Sequence, residues 1–157
     1  MQPFFTEYFN RINLLHAELC AALEGLPQLA LDWAPAAGAN SLAVLVIHTA
    51  GAERYWIGDC VAGDPSGRDR EAEFRTSDLA AEALQERLET SLAYIYQVLE
   101  DLSLDDLYDR RTLRDGSQKT VGWILAHVLS HTAIHLGHVQ LTRQWWQQSF
   151  PGQVLDV

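Results

Sequence analysis

The sequence predicts an all-α domain, a four-helix bundle with crossover connections. Two observations carry that prediction. Four long segments repeat their apolar residues at intervals of three and four, the period of one helical face. Between them stand clusters of Pro, Gly, Asp and Ser, with a single short stretch that reads as extended. A chain of 157 residues is expected to be one domain, 1–157, long enough to bury a real core.

The first helix is expected from Pro3 to Leu26. Phe5, Tyr8, Phe9, Ile12, Leu15, Leu19 and Leu23 form its stripe, and Gly25 and Pro27 stop it. His16 sits beside that stripe and reads as a surface or boundary histidine. Pro27 to Ala39 is a connection. Asn40 and Ser41 offer side chains to cap a second helix, which runs to about Gly63. Its first two turns are apolar almost all round, so it is buried on more than one side, and His48 lies in that part. Asp64 to Thr76, DPSGRDREAEFRT, is polar and turn-rich and reads as an exposed loop. Thr76 or Ser77 is placed to cap the third helix, whose stripe is Leu84, Leu88, Leu92, Ile95 and Leu99. Asp115-Gly116 is a tight-turn pair, so a small hairpin or an extended loop is expected before Thr120 caps the fourth helix. The tail, Ser149 to Val157, reads as an irregular extension.

Composition narrows the function. The net charge is -10, with 11 Lys plus Arg. That disfavours nucleic acid, which needs a basic footprint, and an anionic membrane surface. Trp33 to Ala52 is nearly uncharged but is broken by Pro35, Gly38 and Asn40, so no membrane span is expected. The N-terminal residues carry acidic and polar side chains within their apolar pattern and do not read as a signal peptide. Cys20 and Cys60 lack any framework spacing and read as reduced thiols of a cytoplasmic protein.

The fourth helix carries the chemistry. Of six histidines, His127, His131, His135 and His138 lie on it, within a stripe about 80° wide. Histidines four apart have neighbouring side chains and can share one ion. Eight residues rise about 12 Å, so all four cannot bind one metal. The available pairs are His127/His131, His131/His135 and, with poorer geometry, His135/His138. A third ligand must come from another helix, and His48 is the buried-looking histidine. Three imidazoles with an open position suit a catalytic or substrate-binding metal better than a closed structural one. Nitrogen ligation suits zinc, nickel, copper or ferrous iron and does not discriminate among them; the expected cofactor is a divalent transition metal, zinc or nickel ahead of iron. The alternative is a polar seam in the core.

Together, Asn40-Ser41 leading into IHTAGAERYW, the turn LRDGSQKTVGWIL and the run HVLSHTAIHLGHV resemble the DinB-like superfamily of metal-dependent bundle proteins. The resemblance spans nearly the whole chain. It implies an up-down-down-up connection, a homodimer, and a metal held by His48, His131 and His135. It also implies a small-molecule substrate and, in some members, a low-molecular-weight thiol used by transferases and isomerases. Leu136, His138 and Thr132 stand where the family motif carries Arg, Gln and an acidic residue. Those departures leave the ligand set intact and alter its hydrogen-bonding surroundings. Tyr55, Trp56 and Trp123 are candidate pocket walls, Glu53 is a candidate general base, and His127 and His138 take supporting roles. Trp145 and Trp146 exceed what one thin bundle needs, which also favours a homodimer. The expected function is a metal-dependent enzyme of thiol S-transferase, isomerase or hydrolase type. The alternative is a non-catalytic metal- or ligand-binding protein of stress response or interaction.

Overall fold

The structure, a computed structural model, describes residues 1–152. Helix α1 spans Pro3–Ala21 and is followed by the short α2, Gln28–Asp32. Helix α3, Leu42–Glu53, continues without a break as a π-helical segment, Arg54–Ala62. The one-turn α4, Arg70–Glu73, precedes α5, Ala81–Asp101. A 3₁₀ turn at Asp105–Tyr108 leads to the hairpin β1, Arg110–Thr112, and β2, Gln118–Thr120, and then to α6, Val121–Ser149. The end of the predicted tail lies outside the described residues.

Local chemistry explains most boundaries. Ser41 accepts from the Val44 amide at the start of α3, and Thr120 accepts from the Trp123 amide at the start of α6, each satisfying a free N–H of a first turn. The π-helical segment ends on Gly63 at φ 69°, a left-handed stop that glycine adopts without penalty. The hairpin pairs Arg110 with Thr120 and Thr112 with Gln118, antiparallel. Its turn carries Gly116 at φ 81°, as the Asp-Gly pair predicts.

The third long helix starts at Ala81, later than the caps at Thr76 or Ser77 predict, and Ala80 supplies no side-chain cap. The capping groups are used elsewhere: the Ser77 hydroxyl donates to Asp78, and the Asp78 amide donates to Asp32. Asp78 itself adopts φ 60°. The second bond ties the end of α2 to the connection before α5 and delays the helix.

The core is divided in two. One cluster gathers Leu15, Leu19, Leu23, Leu45, Leu84, Leu88, Leu136 and Trp146. The other gathers Phe5, Tyr8, Ile12, Ile57, Ile95, Leu99, Ile124 and Val128. Along α3, α5 and α6 the break between the clusters falls at a polar residue, Glu53, Ser91 and Thr132, and on α1 His16 lies next to it, all four buried. Glu53 accepts from His16 at 2.9 Å, from Ser91 at 2.7 Å and from Thr132 at 2.7 Å. This layer corrects the sequence reading of His16, which is 3% exposed and not a surface histidine. Trp146 is likewise core: fully buried, it packs against Trp33 and Phe150 and gives no support to a dimer face. Trp145 remains exposed.

Candidate metal centre

The polar layer sets the rotation of α6. With Thr132 turned in toward Glu53, its neighbours on the helix, His131 and His135, face α3 at the next edge of the stripe. There they meet His48. The three ring centroids lie 4.4 to 5.3 Å apart. One ring nitrogen from each lies within 4.8 Å of the other two, so the cluster could hold a divalent metal. His131 and His135 are half-buried and His48 is buried.

The donor set suits a cation. The Nε2 atoms of His131 and His135 stand 3.2 Å apart. Burial first, then the neighbouring histidines, pushes His131 down to about 3 and His135 down to about 4. Both rings are therefore neutral at pH 7, as metal ligands must be. Among the described residues, Nδ1 of His135 is buried with no hydrogen-bond partner, so the ring has unmet polar capacity. Burial also lowers His48, against the opposing hydrogen bond and charge of Glu73.

His48 is held from behind. Its Nδ1 is 2.9 Å from the Glu73 carboxylate and 3.4 Å from Arg68 Nη2. An ionised carboxylate only accepts, and its contact is the shorter, so Nδ1 carries the proton and donates to Glu73. That leaves Nε2 of His48 free for a metal. Arg68 donates to both Glu73 oxygens, a two-pronged bond that fixes the carboxylate. Glu73 is 7% exposed. The segment Asp64–Thr76 is thus no simple exposed loop: α4 folds Glu73 inward, with the Asp69 side chain capping its first turn at the Ala72 amide.

Gly51 makes this approach possible. It lies three residues after His48 on the same helix, and a Cβ there would collide with the Glu73 carboxylate. An interior helical glycine costs about 0.5–1 kcal/mol relative to alanine, so a packing reason is required, and Glu73 is that reason. A cleft of about 590 Å³ lies beyond the pair, lined by Gly51, Arg54, Arg68, Glu73, Ser91 and Tyr94 but by none of the three histidines. Arg68 brings one cation to this side of the histidine cluster, and Glu73 neutralises it.

The other candidates divide. His127 stacks on Trp123 at 5.0 Å and 6°, meets Trp56 at 4.6 Å and stands 5.8 Å from His131. Trp56, Trp123 and His127 therefore form an aromatic wall beside the cluster. His138, exposed, is 5.5 Å from His135. Tyr55 is 9% exposed and belongs to the core, with Arg114 over its ring. Glu53 is unsuited to act as a general base. Burial alone would raise its carboxyl, but the His16 charge and three hydrogen bonds outweigh it and hold Glu53 below the ordinary range. Fully enclosed in the polar layer, it faces no cavity of the histidine cluster. Neither cysteine is an activated nucleophile: Cys20 and Cys60 are free thiols, and burial raises both.

Glu73, Arg68 and Gly51 escape the sequence reading. Gly51, beside a candidate ligand in an apolar helix, is the one local signal of a close approach there. The family model described as Mycothiol-S-transferase matches residues 12–148. No curated protein matches. A similar solved structure is the crystal structure of the conserved protein of locus from Enterococcus faecalis. It has a TM-score of 0.78 at 15% identity, over 92% of this chain and 98% of that chain. At that identity the likeness is one of fold, and it agrees with an all-α DinB-like bundle.

Proposed function

The chain belongs to the mycothiol-S-transferase family, and we propose that it is a metal-dependent enzyme of thiol S-transferase type. Its site holds one divalent transition metal on His48, His131 and His135, zinc or nickel ahead of iron. The observation that carries this reading is the convergence of His48 from α3 on the neutral pair His131/His135. A divalent ion bound there lowers the pKa of a coordinated thiol or water and so supplies a nucleophile at neutral pH.

The chain's own groups do the remaining work. Glu73 and Arg68 orient His48. Thr132, anchored on Glu53, keeps His131 and His135 turned toward α3. The aromatic wall of Trp56, Trp123 and His127 packs the apolar part of an electrophile beside His131. With Cys60 buried, Cys20 half-buried and both raised as thiols, the attacking sulfur comes from a free low-molecular-weight thiol, of the kind that gives the family its name. Exposed Ile134, Leu141 and Trp145 fall on one stripe of α6 and favour a homodimer through that helix, in the cytoplasm.

The competing reading is a non-catalytic metal- or ligand-binding protein. It gains from the removal of Glu53 as a base. Thiol conjugation to an electrophilic dye, compared between wild type and His48→Ala, decides between them. Turnover that collapses in His48→Ala while the fold persists supports the enzyme. Equal turnover by the two proteins ends the enzyme reading in this form.

A further inference from the structure

We propose that Glu73 is the positioning residue of the histidine site, and that a strap supplying no ligand sets the site's metal affinity. This rests on the metal-binding reading above. Three independent features converge on it. The Glu73 carboxylate is buried and lies 2.9 Å from His48 Nδ1. Arg68, on the same strap, grips both of its oxygens. Gly51, on the ligand's own helix, lacks the Cβ that would push the carboxylate away.

An imidazole that binds metal through one nitrogen needs its proton on the other. A carboxylate at that second nitrogen fixes the tautomer, aims the ring and raises its basicity. Without Glu73, Nδ1 of His48 has, among the described residues, only the Arg68 guanidinium within hydrogen-bond reach, at 3.4 Å. Arg68 has hydrogens to donate and no lone pair to accept. It would favour the opposite tautomer, with the proton on Nε2, where it blocks ligation. Glu73 therefore decides which nitrogen His48 offers. Glu73 and Arg68 both lie on the segment between Gly63 and Ala81, so the strap's seating on α3 and the site's competence are one equilibrium.

Two measurements test this on the intact protein. In metal-free protein, long-range ¹⁵N–¹H imidazole spectra should show His48 as the Nδ1–H tautomer. In Glu73→Ala and in Gly51→Ala the Nε2–H form should appear. Zinc affinity, measured against a competing chelator, should fall about 10–100-fold in both variants, and Glu73→Gln, which keeps an acceptor, should fall less. Gly51→Ala separates positioning from folding, because its helix gains propensity while the carboxylate is displaced. Wild-type zinc affinity and an unchanged tautomer in both variants would overturn the proposal and leave the metal site standing. A wild type that binds no zinc, or a His131→Ala variant that binds it equally, would instead overturn the metal reading on which the affinity change depends.

Discussion

Replacing Glu53 by alanine should destabilise the fold by about 3–5 kcal/mol. Glu53 is 1% exposed and accepts three hydrogen bonds, from His16, Ser91 and Thr132. At about 1.5–3 kcal/mol for each bond to a charged group, the gross loss is roughly 4.5–9 kcal/mol. Relief of the carboxylate's own desolvation returns several kcal/mol, so the net is about that seen when one side of a buried pair is removed. Against a typical domain stability of about 5–15 kcal/mol, that is a large fraction. Urea denaturation measures it, with an unchanged m-value marking a change in stability alone. The double variant His16→Ala/Glu53→Ala should cost less than the sum of the two singles, since neither partner is then left buried alone. Because His16 is raised above its ordinary 6.5 by Glu53 against the opposing pull of burial, its share of stability is present below pH 6.5. That share is lost as pH rises through the higher folded value. Glu53 is held below its ordinary 4.5, so its share is present above that pH and is lost as pH falls through the lower folded value. The gap between wild type and Glu53→Ala should therefore be widest between about pH 4.5 and 6.5. A cost under about 1 kcal/mol with no such pH window would refute the buried ionic layer.

Other consequences are simpler to check. Trp146→Ala, at a fully buried ring packed on Trp33 and Phe150, should cost about 3–5 kcal/mol in the same denaturation assay. Thr120→Ala removes the cap on α6 and should cost about 1 kcal/mol, with faster amide exchange confined to the first turn of that helix. Ile134→Asp, at a side chain 59% exposed, should leave the fold intact and weaken self-association in sedimentation runs at micromolar concentration. Unaltered sedimentation would remove α6 as the dimer face.

The parts of the fold legible in the sequence are those that depend on neighbours along the chain. Apolar spacing placed the long helices, and Ser41, Thr120 and Asp115-Gly116 marked starts and a turn because capping and turn chemistry act over two or three residues. The misplaced start of α5 shows the limit. Ser77 and Asp78 are good capping residues, but Asp32, 46 positions away, claims the Asp78 amide. The same limit hid the polar layer. His16 and Glu53 are 37 residues apart, and each alone reads as a polar residue at the edge of a stripe. Glu73 was hidden differently. A segment as charged as Asp64–Thr76 reads as solvated, yet Arg68 neutralises Glu73 and lets it enter a buried site. Pairing of charges within a segment is what makes such burial affordable, and composition does not reveal it. The helix period did limit the ligand pairs on α6, because that constraint is local; the partner from α3 required the fold.

The central claim is that His48, His131 and His135 form one metal site. An anomalous-scattering map of crystals of the purified protein, collected at the absorption edges of zinc and nickel, tests it most directly. The account predicts a single peak per chain within bonding distance of a nitrogen from each of the three rings, absent in His131→Ala. A map with no peak among the three rings after soaking in either metal, or with the peak elsewhere in the chain, would contradict it.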